Sequence, residues 1–238
     1  MRLLVSVANV DDAAAALAGG ADVIDAKDPH AALGPVPARV LREIRTAVGE
    51  ARPVTAAIGD ASDESAVERI AHEFAAAGAA LLKVGFAGID SASRVSALLG
   101  AAIHGAATAT DGLCGVVAVA YADEDRAASV PFPKLVEIAA TARAWGVLLD
   151  TRNKSGPGLP QLVRPQPMAQ WVADAHRAGL VVALAGKLTA DDLSFVFDTG
   201  ADIAGVRGAA CDNGRAGQVS ADRVRLLQLA CASALVRT

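Results

Sequence analysis

The sequence predicts an α/β fold, a (β/α)8 TIM barrel that forms a single domain over residues 1–238. Three observations favour this fold. Short apolar segments alternate eight times with alanine-rich or amphipathic segments. The apolar segments are almost continuous in Val, Ile, Leu and Ala, which is typical of parallel strands buried on both faces. Eight such units in 238 residues is the size of one closed barrel.

Each strand and helix follows from local signals along the chain. The strands are predicted at residues 3–7, 22–26, 53–58, 79–84, 115–121, 146–149, 180–185 and 202–206. The helices are predicted at residues 11–17, 37–48, 62–77, 91–104, 132–144, 167–178, 189–198 and 220–235. Asn9 caps the first helix, Pro37 begins the second, and Gly78 closes the third. Gly179 closes the sixth helix, and Thr189 caps the seventh.

Composition and patterning argue against several classes of protein. A doubly wound open sheet is the alternative fold, but no G-x-G-x-x-G motif follows the first strand. The net charge is −4 and no basic run is present, which argues against a nucleic-acid partner. No apolar run reaches the ~18 residues of a membrane span, and the N-terminus becomes polar too early for a signal peptide. Three widely spaced cysteines (Cys114, Cys211 and Cys231) favour a reducing, cytoplasmic location.

Lysine is scarce in this chain, and most of it lies where a barrel enzyme has its active site. Of the 22 Lys and Arg residues, only five are lysines. Four of them follow the ends of predicted strands, where the active sites of such barrels lie: Lys27, Lys83, Lys154 and Lys187. The fifth, Lys134, lies on a predicted helix and is interpreted as a solvated surface residue.

These lysines and two aspartates predict amine chemistry. Lys27, Lys83 and Asp150 come from the second, fourth and sixth strands, and alternate strands contribute to one layer of a barrel. We therefore expect these three in one layer, with Asp25 a layer lower and Lys154 in the loop above. Neighbouring lysines lower each other's pKa, which gives a neutral amine that forms a Schiff base with a carbonyl, while Asp25 or Asp150 moves protons. The alternative is that these groups form buried ion pairs without a catalytic role.

The exits of the seventh and eighth strands predict a phosphate site. Glycines lie next to cations there, at Gly186, Lys187, Gly205, Arg207 and Gly208. Glycine amides beside a cation suit a phosphate dianion, and barrels commonly bind phosphate at these exits. Ordinary glycine turns are the alternative. The four histidines and three cysteines show no metal-ligand spacing, so we expect no metal.

Several segments together resemble one enzyme family. They are L-L-V-S at 3–6, G-G-A-D-V-I-D-A-K-D-P at 19–29, K-V-G at 83–85, L-D-T at 149–151, A-L-A-G at 183–186 and G-V-R-G-A-A-C at 205–211. The combination resembles the (5-formylfuran-3-yl)methyl phosphate synthase family of methanofuran biosynthesis. The resemblance implies a TIM barrel that joins two molecules of glyceraldehyde 3-phosphate into a furan aldehyde phosphate, with loss of phosphate and water. It also implies a lysine Schiff base and no metal or organic cofactor.

The resemblance gives each candidate residue a role. It implies that Lys27 forms the Schiff base, that Lys83 and Lys154 assist it, and that Asp25 and Asp150 exchange protons. The enzyme would then be a carbon–oxygen lyase that acts on phosphates, with a triose phosphate as its partner, and we expect a homo-oligomer. Two alternatives stay open: a class I aldolase that acts on another aldehyde phosphate, and a non-catalytic regulator that binds a phosphosugar.

Overall fold

The computed structural model describes residues 1–123 and 128–235, in which eight parallel strands close into a barrel in chain order. The strands are β1 Arg2–Val7, β2 Val23–Ala26, β3 Val54–Asp60, β4 Leu81–Gly85, β5 Gly115–Tyr121, β6 Gly146–Asp150, β7 Val181–Leu184 and β8 Ile203–Val206. The last strand pairs with the first, where Leu3 lies beside Ala204. The predicted fold class is therefore confirmed.

Helices surround the barrel and follow its strands. In the described residues they are α1 Val10–Ala18, α2 Ala38–Val48, α3 Glu64–Ala76, α4 Ala92–Thr110, α5 Phe132–Thr141, α6 Leu159–Leu162, α7 Pro165–Arg177, α8 Leu193–Asp198 and α9 Ala221–Leu235. A short 3₁₀ helix, Gly208–Ala210, precedes α9. None of the described helices is long and apolar enough to cross a bilayer.

The main core lies between the barrel and its helices. Helix α2 shows the pattern, because Leu41, Ile44 and Val48 lie on one face at helical spacing and are all buried. Burial of one such side chain contributes about 1.5–3 kcal/mol to folding. The strands supply apolar side chains to the same core, including Val5 and Ile24. Since alternate strand residues point outward into this core, the residues between them point into the barrel.

Helix α4 is longer than the sequence predicts. The predicted helix ends at His104, before Gly105, whereas the observed helix continues to Thr110. Gly105 permits contact between two helices, because a Cβ there would lie 2.1 Å from the carbonyl oxygen of Glu68 in α3. A glycine required for close packing of helices resembles a helix stop in the sequence alone, and this explains the error.

Strand β3 and helix α8 also differ from the prediction. Gly59 and Asp60 were expected in a loop but lie in β3, where the register shifts between Ala57 and Asp60. Gly59 has φ +90, which accommodates this irregularity. Thr189 does not cap a helix, because α8 begins only at Leu193 and the Thr189 N–H and hydroxyl both donate to Asp192.

Candidate active site

A cavity of about 380 Å³ opens at the carboxyl ends of the strands. Nine of the ten predicted site residues line it: Lys27, Lys83, Asp150, Lys154, Gly186, Lys187, Gly205, Arg207 and Gly208. The tenth, Asp25, lies below the cavity and is reached through the side chain of Lys83. This is the end of the barrel at which enzymes of this fold carry out their chemistry.

Asp25 is held by three side chains, two of them from the strands that neighbour β2. Its register partners are Ser6 in β1 and Thr55 in β3, so the three side chains point into the barrel together. The Ser6 hydroxyl donates to Asp25 Oδ2 over 2.8 Å, and the Thr55 hydroxyl donates to Oδ1 over 2.8 Å. Lys83 Nζ lies 2.5 Å from Asp25 Oδ2. This fully buried carboxylate therefore has partners on both oxygens, and it fixes the position of the Lys83 ammonium.

Lys27, Asp150 and Lys154 form a second group nearer the cavity mouth. Lys27 Nζ lies 3.5 Å from Asp150 Oδ2, and Lys154 Nζ lies 2.5 Å from Asp150 Oδ1. The backbone N–H of Thr151 also donates to Oδ1, over 2.7 Å. The prediction that Lys83 shares a layer with Lys27 and Asp150 is wrong in one respect, because the Lys83 ammonium contacts the lower carboxylate of Asp25.

The environment of Lys27 makes its amine a nucleophile near neutral pH. Only 6 % of the residue is exposed. Burial lowers the pKa of Lys27 from 10.5 to about 7, because the ammonium loses its hydration. The Asp150 carboxylate opposes this change, while the nearby charges of Lys154 and Lys83 add to it. A large fraction of Lys27 is therefore the free amine at physiological pH.

The two groups that flank Lys27 differ in what they contribute to proton transfer. Burial by itself would raise the pKa of Asp150, but Lys154, Lys27 and the Thr151 N–H outweigh it, so the pKa lies well below its ordinary value. Asp150 is therefore an ionised carboxylate that positions two amines and has no proton to donate. Burial lowers the pKa of Lys154 in spite of the opposing Asp150 charge, which suits Lys154 to exchange protons.

The loop that carries Lys154 is fixed from both sides. The Asp123 carboxylate accepts the backbone N–H groups of Arg152 and Asn153 over 2.7 and 2.8 Å. On the other side, the exposed Lys187 ammonium donates to the carbonyl oxygen of Gly156. The structure thus places the Lys187 side chain in a contact between the β7 exit and this loop, and the loop holds Lys154 against Asp150.

The β7 exit presents backbone donors to the cavity. Gly186 has φ +108 and Lys187 has φ +57, so two successive residues adopt the left-handed region. A Cβ at Gly186 would approach Thr151 Cγ2 to 2.9 Å, which requires glycine at this position. In the described part of the chain, neither backbone N–H donates to a protein acceptor. These two N–H groups are suited to an anion.

Arg207 does not have the free guanidinium that the sequence suggests for a phosphate ligand. Only 7 % of the residue is exposed. Its Nη1 lies 2.7 Å from Asp12 Oδ2 and donates to the Ser6 carbonyl over 3.0 Å. Its Nε donates to the Arg215 carbonyl and its Nη2 to the Gly217 carbonyl. The guanidinium therefore anchors the loop after β8. The sequence at a strand exit does not show whether a side chain points into the cavity or toward neighbouring loops.

Sequence reasoning missed three residues of the site. Ser6 and Thr55 position Asp25. The sequence signal for such a residue is alternation along a strand, which places Leu4 and Ser6 on the same inner face of β1. Arg215 lines the cavity from the loop before α9. It was overlooked because arginine is common in this chain and its glycine-rich surroundings suggest a surface turn. Across the described residues, no group of three His, Cys, Asp or Glu side chains is placed to hold a metal ion.

Comparisons with known proteins agree on one family. A family model described as 4-HFC-P synthase matches residues 3–228. The (5-formylfuran-3-yl)methyl phosphate synthase of Methanopyrus kandleri is 38% identical over 218 residues, which cover 90% of each chain. The enzyme of that name from Methanosarcina barkeri is 34% identical over 233 residues, 97% of this chain and 99% of the relative.

Solved structures share the fold at much lower identity. A crystal structure of KGPDC from Streptococcus mutans superposes with a TM-score of 0.70 and 15% identity, covering 98% of this chain and 97% of that one. Likeness at this level of identity reflects the barrel architecture, because the same barrel carries many unrelated reactions.

Proposed function

Because this chain belongs to the 4-HFC-P synthase family, we propose that it joins two molecules of glyceraldehyde 3-phosphate into (5-formylfuran-3-yl)methyl phosphate. Membership of this family makes the protein an enzyme and supports the identity of the product. The observation that carries the mechanism is the buried Lys27 amine, whose pKa is about 7, in a cavity with Asp150 and Lys154. An amine in this state forms a Schiff base.

The reaction begins on the free amine of Lys27. The amine attacks the aldehyde carbon of one triose phosphate, and loss of water gives an iminium. A proton leaves the adjacent carbon to give an enamine, and loss of the phosphate on the third carbon then gives an unsaturated iminium. The enol form of the second triose phosphate attacks that third carbon through its own C2. The C2 hydroxyl of the first triose closes the ring on the aldehyde of the second, and loss of water and hydrolysis of the iminium complete the furan. The atom balance requires that one phosphate and two water molecules are released overall, and no oxidant or reductant takes part.

The remaining residues have roles that follow from their contacts. Lys154 transfers protons, since its ammonium has a lowered pKa and reaches the same carboxylate as Lys27. Asp150 keeps both amines in place and stabilises the iminium charge. Lys83, fixed by Asp25, contributes a positive charge below Lys27 that favours its neutral form.

Phosphate recognition is proposed for the two strand exits. The free N–H groups of Gly186 and Lys187 donate to one phosphate, and Gly205 and Gly208 leave room for it beside the strands. The reaction breaks carbon–oxygen bonds to phosphate and to water, so the enzyme is a carbon–oxygen lyase. By resemblance to its family, we assign the furan product to the synthesis of methanofuran-type carriers of one-carbon units, in the cytoplasm.

The direct test supplies the purified protein with glyceraldehyde 3-phosphate alone. We expect mass spectrometry to detect the furan aldehyde phosphate, with one inorganic phosphate released for each product molecule. A Lys27→Ala variant should form none, while a variant of the exposed helix lysine, Lys134→Ala, should be fully active. A sugar phosphate formed without release of phosphate would identify an aldolase instead. Full activity of Lys27→Ala would refute the Schiff-base mechanism.

A further inference from the structure

Arg215 is held at the cavity from the side of the reactive lysine. Its Nε donates to the Pro29 carbonyl over 2.7 Å, and its Nη2 donates to the Ala31 carbonyl over 2.8 Å. Both carbonyls belong to the loop that follows Lys27 at the end of β2. The guanidinium is therefore fixed relative to the amine, and Arg215 lines the same cavity as Lys27 and Lys154.

The backbone of Arg215 is fixed as well. Its carbonyl accepts a hydrogen bond of 3.1 Å from Arg207 Nε. Arg207 is itself anchored by the buried Asp12, whose carboxylate also accepts the Val219 N–H. Since both the main chain and the side chain are held, little conformational entropy remains to be lost when Arg215 binds a ligand.

Arg215 differs from Arg207 in the donors that remain. The Arg207 guanidinium uses Nε and both terminal nitrogens in contacts with the protein. Arg215 uses Nε and Nη2, while its Nη1 donates to no acceptor in residues 1–123 and 128–235. A guanidinium with an unused edge at a cavity wall is suited to a phosphate or a carboxylate.

We propose that Arg215, together with Lys154, binds the phosphate group that leaves during furan formation. The inference rests on the proposed function, in which two phosphates enter and one is retained. The cavity offers two kinds of donor for them, the neutral N–H groups of Gly186 and Lys187 and the cations of Arg215 and Lys154. The leaving phosphate gains negative charge, so it is the group that needs the cations.

The departure of this phosphate balances in atoms and electrons. The carbon–oxygen bond of the ester breaks, and its electron pair stays on the phosphate oxygen. Electrons of the enamine form the new carbon–carbon double bond, and the nitrogen returns to an iminium. The phosphate oxygen then takes one proton from the Lys154 ammonium. Burial lowers the pKa of Lys154 against the effect of Asp150, and the charge of Arg215 lowers it further, which makes this proton easier to give.

The test measures two affinities on Arg215→Gln. In the first titration, the furan phosphate product binds to the free enzyme. In the second, inorganic phosphate binds to enzyme saturated with that product. We expect the affinity for inorganic phosphate to fall about 10- to 100-fold, the usual effect of a lost charge-assisted hydrogen bond, while the affinity for the product stays within about twofold. Arg215→Lys keeps the positive charge but lacks the forked guanidinium, so its affinity for inorganic phosphate should lie between those of wild type and Arg215→Gln.

Arg223→Gln is the matched control, because Arg223 is an exposed arginine that pairs with Asp212 near the same loop. It should bind both ligands as wild type does. Weaker binding of the furan product to Arg215→Gln, or unchanged binding of both ligands, would overturn the assignment. If Arg215→Gln does not fold, unchanged binding of inorganic phosphate to Arg215→Lys overturns it. Wild-type protein that releases no phosphate from glyceraldehyde 3-phosphate would instead contradict the proposed function.

Discussion

Replacement of Lys27 by methionine should stabilise the protein while it abolishes activity. Burial lowers the pKa of Lys27 from 10.5 to about 7. At about 1.36 kcal/mol for each pKa unit, this shift lowers the free energy of unfolding by roughly 5 kcal/mol when Lys27 is protonated, because the folded state binds the proton more weakly than the unfolded chain does. Methionine fills the same space without a charge. Asp150 keeps its contacts with Lys154 and the Thr151 N–H in the variant, so it is not left as an unpaired buried charge.

The lowered pKa of Lys27 determines how the free energy of unfolding changes with pH. Between pH 7 and 10.5, the unfolded chain binds a proton on Lys27 that the folded protein does not bind. Stability of the wild type therefore rises with pH in this window, relative to Lys27→Met. The variant should be more stable by about 5 kcal/mol below pH 7 and by about 3 kcal/mol at pH 8. The difference should disappear near pH 10.5.

Urea denaturation at several pH values measures this difference directly. The gap in the free energy of unfolding between Lys27→Met and wild type should shrink by about 1.4 kcal/mol for each pH unit from 7.5 to 10. Lys134→Met is the control, because Lys134 is an exposed helix residue paired with Glu137. Its gap should stay within about 0.5 kcal/mol at every pH. If the difference in unfolding free energy between Lys27→Met and wild type did not change with pH, the assignment of a weakly basic amine at this position would be refuted.

Two further predictions concern the carboxylates that organise the site. Asp150→Asn removes a negative charge 3.5 Å from the Lys27 amine, so the pKa of Lys27 should fall. The acid limb of the kcat/KM profile should therefore move to lower pH by about 1–3 units. A move to higher pH would contradict the account. Arg207→Met leaves Asp12 buried without its cation and should cost about 3–5 kcal/mol of unfolding free energy in urea. The exposed Arg223→Met should cost under about 1 kcal/mol, and an equal loss in both variants would speak against an anchoring role for Arg207.

The sequence specified the barrel and the lysine cluster because both depend on local periodicity. Alternation along a strand places Asp25 and Lys27 on the inner face of the barrel, and strand order brings Lys83 and Asp150 to the same end. Apolar runs bounded by glycine mark the strands whatever their neighbours are. These features need no knowledge of distant contacts. The structure brings all four residues to this end of the barrel, although Lys83 contacts Asp25 and does not share a layer with Lys27 and Asp150.

Features that depend on contacts between residues far apart in the chain could not be predicted from the sequence. The guanidinium of Arg207 turns to Asp12, which is 195 residues away along the chain. The predicted fourth helix ends at His104, whereas the observed helix continues through Gly105, which is required by the approach of the Glu68 carbonyl from another helix. No local sequence signal distinguishes Arg215 from the other arginines, and only its contacts with the Pro29 and Ala31 carbonyls fix it at the cavity.

The central claim is that Lys27 forms a Schiff base with a triose phosphate. The measurement that tests it most directly is reduction by sodium borohydride during incubation with glyceraldehyde 3-phosphate, followed by peptide mass spectrometry. We expect a reduced substrate adduct on the peptide that contains Lys27, with its yield rising through about pH 7 as the amine loses its proton. Normal furan formation with no adduct on Lys27, or with the adduct on another lysine, would contradict the account.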